Sequence, residues 1–230
     1  MITSEDFFDE TIKQYWGKEG LPVVFDGITN LEKYNCAPVK ILWVLKEGNE
    51  RKHEDRDHRE YHSCVTWAPG WKSTYKNIIL TTYGLLNNCC FEELPLLDND
   101  ARVNNQYVMD DIALININKN GGGGSANESI IKANYVKYKD VILKQIYEIN
   151  PDIIINCSRV SKIFDDITDM YKLNKTQYKS EFDLKVNYAE NSSKLLIDYW
   201  HPNVRANIVS ADAYQKQILD IFLLWNKSKN

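Results

Sequence analysis

Four short and almost wholly apolar runs alternate along this chain with segments of helical length. They cover residues 41–45, 112–115, 153–155 and 195–197. Apolar runs this short, without polar alternation, are typical of strands that are buried on both faces. Strands that alternate with helices form a mainly parallel sheet with helices packed on it. The pattern therefore predicts a three-layer α/β/α fold around a central, mainly parallel sheet.

The same reasoning places the individual elements. The predicted strands cover residues 40–45, 111–117, 152–157 and 194–198, and a polar edge hairpin is expected over 174–190. The predicted helices cover residues 4–16, 73–88, 127–149, 159–170 and 212–225. No repeat or interdomain linker interrupts this order, so residues 1–230 are expected to form one domain. A domain of this size buries roughly 70% of the surface that its unfolded chain exposes.

Charge and cysteine content restrict the environment and the partners. With 28 Lys and Arg against 32 Asp and Glu, the net charge is −4, which disfavours nucleic-acid binding over the whole surface but permits a local basic groove. No stretch approaches the roughly 20 apolar residues of a membrane span, and the first residues lack the pattern of a signal peptide. The five cysteines form no CxxC pair, so we expect free thiols in a reducing, cytoplasmic setting and no membrane partner.

Polar side chains follow three of the predicted strands. Glu47 comes after the first strand, Asn116 and Asn118 end the second, and His201 follows the fourth, directly before Pro202. The carboxyl ends of parallel strands meet at one edge of a sheet. A carboxylate there can deprotonate a water, an amide can pair with the edge of a base, and an imidazole can stabilise a developing negative charge. Each residue also has a plain structural interpretation, but together they predict one cleft for chemistry on a polar ring.

The order of the segments resembles that of the uracil-DNA glycosylase superfamily. In that family an acidic, water-activating loop follows the first strand, and a serine loop then opens a helix. A strand ending in a base-reading asparagine comes next, followed by a buried strand and a His-Pro-Ser type loop that enters the DNA. The matching segments here are 44–49 (VLKEGN), 73–78 (STYKNI), 113–116 (ALIN), 152–157 (DIIINC) and 201–205 (HPNVR), which run in order over residues 40–210.

The resemblance implies a role for each matching residue. Glu47 would position the attacking water or stabilise the sugar cation, and Asn116, or else Asn118, would hydrogen-bond the flipped base. His201 would stabilise the departing base anion. The remaining assignments are Arg205 as the wedge in the base stack, Trp67 (with Tyr61 and Trp71 as alternatives) as the stacking aromatic, Gly48 and Asn49 at the base, and Ser73, Lys76, Lys119 and Asn203 at the DNA backbone.

The implied reaction cleaves an N-glycosidic bond and leaves an abasic site. It would need no cofactor and no metal, and no lysine is placed for a lyase step, so we expect a monofunctional enzyme. Its partner would be double-stranded or single-stranded DNA that carries a modified base, bound by a monomer. A glycosylase takes its base out of the stack, which costs a few kcal/mol.

One departure from the family bears on the substrate. The uracil enzymes close the pocket at the pyrimidine 5-position with a tyrosine after the first-loop acid, whereas Gly48 and Asn49 stand here. We therefore expect room for a 5-substituent, as on glucosylated 5-hydroxymethylcytosine in phage DNA, and a role in antiviral defence. The alternatives are a uracil-DNA repair glycosylase and a non-catalytic protein that binds modified DNA.

Two other classes of function have weaker support in the sequence. The charged segment 50–62 contains His53, His58 and His62, which suggests a metal-dependent hydrolase, although the spacing matches no zinc pattern and a solvated segment is expected instead. The glycine run at 121–124 follows a strand as in a nucleotide-binding loop, but it lacks the lysine of a phosphate-binding loop. We expect a flexible lid or a DNA-contacting loop there.

Overall fold

The computed structural model describes residues 4–18, 20–48, 54–63, 72–95, 108–122, 126–180, 184–204 and 208–229. The helices are α1 (Ser4–Trp16), α2 (Leu31–Cys36), α3 (His58–Ser63), α4 (Lys72–Asn87), α5 (Glu128–Ile149), α6 (Ser161–Tyr171) and α7 (Ala211–Ser228). The strands are β1 (Val24–Phe25), β2 (Gly27–Ile28), β3 (Ile41–Glu47), β4 (Arg56–Asp57), β5 (Ile112–Asn118), β6 (Ile153–Asn156), β7 (Asn174–Lys179), β8 (Lys185–Glu190) and β9 (Leu195–Asp198).

A central sheet of seven strands organises the described residues. Its order is β2-β5-β3-β6-β9-β8-β7. The four strands predicted from apolar runs, β5, β3, β6 and β9, are the parallel core of the sheet. Strand β2 pairs antiparallel on one side, and the β7–β8 hairpin closes the other side, also antiparallel. The prediction of a mixed α/β fold with a mostly parallel central sheet is therefore confirmed.

Helices cover both faces of this sheet, because successive strand residues point to opposite sides. Ile41 and Trp43 of β3 pack in one apolar cluster with α4 and α7. Leu42 and Val44, the alternate residues, pack in a second cluster with α1, α5 and α6. All four side chains are fully buried, which explains why the sequence of this strand shows no polar alternation.

The connections leave the sheet in two directions. The chain leaves β3 towards α4 on one face, whereas it leaves β5 towards α5 and β6 towards α6 on the opposite face. Adjacent parallel strands whose connections diverge in this way leave a crevice at their carboxyl ends, where open α/β sheets bind their ligands. Strand β3 has such a neighbour on each side, β5 and β6, so the crevice lies at the carboxyl end of β3.

The charged segment is more ordered than the sequence predicts. Arg59 of α3 bonds to Asp9 of α1 at 2.7 Å and to Asp57 at 2.6 Å, with only 14% of its side chain exposed. His58, the first residue of the helix, is buried. The expectation of a solvated segment is therefore wrong for His58 and Arg59, where two carboxylates offset the desolvation of the guanidinium. Glu54, Asp55 and Glu60 are exposed, as that expectation requires. Residues 50–53 lie outside the described residues.

The described cysteines carry free thiols. Cys36 is exposed, Cys89 and Cys90 are partly buried, and Cys157 is buried. Cys64 lies outside the described ranges. No helix in those ranges has both the length and the apolar composition that a membrane crossing requires.

Helix α7 offers a direct test of the packing on the α4 face. Leu219 is fully buried against α4, where a Cβ on Gly84 would lie 2.7 Å from its Cδ2, whereas Leu224 on the same helix is 51% exposed. We expect Leu219→Ala to lower the free energy of unfolding by about 2–5 kcal/mol through lost transfer energy and a cavity. Leu224→Ala should change it by less than about 0.5 kcal/mol. Urea titrations compare the two, and equal losses would contradict the packing.

Candidate active site

The carboxylate of Glu47 lies at the end of β3, beside the end of β5. The parallel register pairs Glu47 with Asn118. The side-chain Nδ2 of Asn118 donates a hydrogen bond to Oε2 of Glu47 at 3.0 Å. The Oδ1 of Asn118 accepts the backbone N–H of Asn120 at 3.2 Å. Because both ends of the Asn118 amide are engaged, this residue orients the carboxylate and is poorly placed to read a base.

The glycine run contributes backbone to the same site. The N–H of Gly122 donates to the carbonyl of Gly48 at 2.8 Å. A Cβ added to Gly122 would lie 2.1 Å from Oε1 of Glu47, closer than any real contact. The loop backbone therefore lies directly against the carboxylate, and a side chain at position 122 would displace it.

Gly48 does not open the space that the sequence predicts. A Cβ on this residue would lie 2.4 Å from Cε1 of His58, so the imidazole of α3 already fills the volume beside it. Gly48 itself is buried. The prediction of an open wall next to Glu47 is therefore wrong, because a residue ten positions along the chain folds back to occupy it.

Asn116 points to the same side of the sheet as Asn118, two residues before it. It is 4% exposed. Its backbone N–H donates to Oδ2 of Asp26 at 2.7 Å, but its side-chain amide has no hydrogen-bond partner among the residues that the structure describes. Neither atom of this amide is among the fully enclosed side-chain atoms that lack a partner, so the end of the side chain keeps some exposed surface. A ligand can therefore supply the missing partner, which makes Asn116 the candidate ligand-reading group.

Lys119 lies beneath the site and not on its surface. Its side chain is 1% exposed, and its Nζ donates to Oδ1 of Asp26 at 2.5 Å and to Oε1 of Gln145 at 2.9 Å. Burial lowers the pKa of Lys119, while the Asp26 charge opposes this shift. The prediction that Lys119 contacts the DNA backbone is therefore wrong, because its ammonium is enclosed. Asp26 and Gln145, which the sequence analysis did not single out, are part of the support for this strand end.

His201 lies on the loop after β9. Its Nδ1 accepts the backbone N–H of Asn203 at 3.2 Å, so the neutral ring carries its proton on Nε2. Asn77 of α4 donates to the carbonyl of Pro202 at 2.7 Å, which ties this loop to the face that Glu47 and Asn116 share. Burial, with a smaller contribution from the Lys46 charge, lowers the pKa of His201 to about 4. The ring is therefore a neutral hydrogen-bond donor at physiological pH.

The other predicted site residues are only partly described. Lys76 of α4 and Asn203 are exposed, as a backbone-contacting role requires. Ser73 belongs to α4, but its side chain lies outside the described residues, as does that of Tyr61 in α3. The predictions for Asn49, Trp67, Trp71 and Arg205 also fall outside the described residues.

Two further features bear on ligands. Among the described side chains, no group of three or more His, Cys, Asp or Glu is arranged to hold a metal ion. A small depression of about 30 Å³ lies beside Asp26, where Phe8, Arg59 and Gln145 border it. Neither Glu47, Asn116 nor His201 lines this depression, so it is separate from the crevice at the strand ends.

The environment of His201 predicts its titration. The ¹³Cε1 resonance of His201, assigned through His201→Asn, should titrate near pH 4 instead of near 6.5. Between these values the unfolded chain binds the proton that the folded chain excludes, so this residue makes the free energy of unfolding rise with pH over that window. Lys46→Met should raise the midpoint by removing a positive charge, and Lys132→Met on exposed α5 surface should not. A midpoint near 6.5 would show that the ring is solvated.

Comparison with known proteins assigns no family to this chain. No protein-family model matches the sequence, and no curated protein matches it. The site therefore stands on its contacts: a carboxylate oriented by an amide, a buried amide with no partner among the described residues, and a neutral imidazole on the loop after β9.

Proposed function

We propose that this protein is a monofunctional DNA glycosylase, which hydrolyses the N-glycosidic bond of a flipped pyrimidine and leaves an abasic site. One observation carries the proposal. The side chains of Glu47 and Asn116 lie on one face of the sheet, at the carboxyl ends of the adjacent strands β3 and β5. The loop that carries His201 is hydrogen-bonded to α4, the helix that covers this face. These are the three groups that base excision needs: a proton acceptor for water, a base-reading amide and a donor to the leaving group.

In the proposed reaction Glu47 accepts a proton from a water whose oxygen bonds to C1′ of the deoxyribose. The bond between C1′ and the base nitrogen breaks, and its electron pair moves into the base. The Nε2–H of His201 donates a hydrogen bond to the base oxygen on which negative charge accumulates. The base anion takes up a proton from solvent and Glu47 returns its proton to solvent, so the products are a free base and an abasic sugar.

The neutral state of His201 matters to this step. A lowered pKa keeps the imidazole uncharged across physiological pH, with Nε2 as its donor. The donor is held by a backbone contact at Nδ1 and needs no reorganisation as the charge develops. The ring therefore stabilises the anion by a fixed hydrogen bond and does not depend on a protonation event.

In the proposed reaction Asn116 selects which base is accepted. Its amide presents one donor group and one acceptor, which match the edge of a pyrimidine. Extrusion of a base costs a few kcal/mol, so hydrogen bonds that form only with the extruded base favour the correct one. A base with the wrong edge would cover the exposed end of this amide without pairing with it, which is a strong basis for rejection.

Removal of the Glu47 charge tests the chemistry. We expect Glu47→Gln to lower the rate of abasic-site formation by about 10²–10⁴-fold, the contribution typical of a general base. Glu54→Gln, at an exposed position before β4, is the matched control and should leave the rate unchanged. The assay is alkaline strand cleavage of end-labelled duplexes after incubation with each variant.

Wild-type protein that binds these duplexes and forms no abasic sites would instead be a non-catalytic DNA-binding protein. Full activity in folded Glu47→Gln would contradict the role of this carboxylate in activating water. Circular dichroism confirms that both variants fold.

The proposed base is a modified pyrimidine, with glucosylated 5-hydroxymethylcytosine of phage DNA as the leading candidate. One argument for this substrate, the open space beside Gly48, does not hold, because His58 fills that volume. The remaining support is that no tyrosine follows Glu47, where the resemblance to the uracil enzymes would place the residue that closes the pocket at the pyrimidine 5-position.

Mass spectrometry of released bases tests this choice. Duplexes that carry uracil, 5-hydroxymethylcytosine or its glucosylated form at one position are incubated with the protein. We expect release of a modified cytosine and little uracil. Efficient release of uracil with glucosylated DNA left intact would identify a uracil-DNA repair enzyme.

A further inference from the structure

We propose that Asp26 is a positioning residue that fixes base selectivity, because its buried carboxylate holds the strand at Asn116. Lys119 and Gln145 in turn hold Asp26. This inference rests on the proposed function and deepens it by naming what sets the geometry of the base-reading amide. Asp26, Lys119 and Gln145 are called the buried network below.

The hydrogen bonds of Asp26 are divided between the strand and the network. Its Oδ2 accepts the backbone N–H of Asn116 at 2.7 Å. Its Oδ1 accepts Nζ of Lys119 at 2.5 Å and Nε2 of Gln145 at 3.1 Å. Lys119 also donates to Oε1 of Gln145, so the three side chains close a ring of contacts. Each oxygen of the carboxylate therefore has a defined partner, and the group has one orientation.

The carboxylate of Asp26 supplies a hydrogen-bond acceptor at the point where β2 no longer pairs with β5. Strand β2 pairs with β5 only at Leu114 and Ala113, so the antiparallel ladder ends before Asn116. The N–H of Asn116 then has no backbone acceptor from β2, and Asp26, the residue just before β2, supplies one. Lys119 is fixed in the same way through its main chain, since its carbonyl accepts the N–H of Val24 at 2.7 Å. The end of β5 is thus held by β1, β2 and the residue between them.

Stability alone is a weak explanation for this arrangement. The side chains of Lys119 and Asp26 are both 1% exposed, and apolar residues of similar volume often stabilise a core as well as a buried ion pair does. Such a pair does impose one geometry, because each charge is tolerated only where its partner lies. That property suits a site in which Asn116 must meet the edge of a base within hydrogen-bond distance.

The inference predicts a loss of discrimination and not only a loss of rate. The double variant Asp26→Asn with Lys119→Met removes both charges and leaves neither unpaired. We expect its selectivity, the ratio of single-turnover rates on the best and second-best of the three duplex substrates named above, to fall about tenfold or more as the amide of Asn116 loses its fixed position. This ratio does not depend on the fraction of active protein, so a merely structural defect would leave it unchanged.

The matched control removes another ion pair from the same protein. Lys139 of α5 and Asp166 of α6 bond at 2.5 Å and are partly exposed. Lys139→Met with Asp166→Asn should leave the selectivity ratio at the wild-type value. An unchanged ratio in the Asp26 variant, with all rates lowered equally, would overturn the inference.

Two further measurements keep the inference open to refutation. If the double variant does not fold, Gln145→Leu removes three hydrogen bonds to the pair and retains both charges, and an unchanged ratio there would also overturn the inference. The side-chain amide resonances of Asn116, assigned through Asn116→Asp, need no activity. We expect them to shift or split in the Asp26 variant and to stay in place in the control.

The two proposals can fail separately. If the wild-type protein releases no base from any duplex, the glycosylase proposal fails, and the amide resonances alone then decide whether the buried network positions Asn116. If bases are released and the resonances and the ratio stay unchanged in the Asp26 variant, only the positioning role fails.

Discussion

The parallel pairing of β3 with β5 is the constraint on which the rest of the site depends. The two strands pair in register from Ile41 with Ile112 to Glu47 with Asn118. A slip of one residue would turn every side chain of one strand to the other face, which would bury Glu47 under α5 and expose apolar residues to the crevice. The fully buried clusters on both faces therefore fix the register, and the register brings the carboxylate to its amide partner.

Close contacts hold the ends of β3 and β5, where Glu47 and Asn116 lie. Backbone of the glycine run lies against the carboxylate of Glu47, and the ring of His58 lies against Gly48. Below the strand end, the buried network supplies an acceptor where the sheet stops. Catalytic groups need such support, because an error of about 1 Å in their placement costs a large part of their effect.

Much of the fold could be predicted from the sequence, because the central strands are apolar on both faces. The run at 153–155 has no other simple interpretation, and it forms β6 as expected. The polar residues after these runs could be placed at one edge of the sheet for the same reason. That Glu47 and Asn118 would bond to each other depended on the strand order, which the runs alone do not specify.

The errors concern contacts between residues that are distant in sequence. Lys119 follows a strand and precedes a glycine run, which predicts a surface position, but its partner Asp26 stands 93 residues earlier in the chain. The prediction of free space beside Gly48 was wrong because His58 fills that space. His58 lies in a charged run that packs through the ion pair of Arg59 with Asp9 of α1. In each case one polar side chain acquires its role only when a second, distant chain segment neutralises or covers it.

The contact between Gly122 and Glu47 also limits how this chain can evolve. An alanine at position 122 would place its methyl carbon within 2.1 Å of a carboxylate oxygen, so the acid would have to leave its present position. Descendants that keep the acid in this position would keep glycine at residue 122. In descendants that lose the acid at position 47, other residues could replace glycine at position 122, so substitutions at the two positions would be correlated.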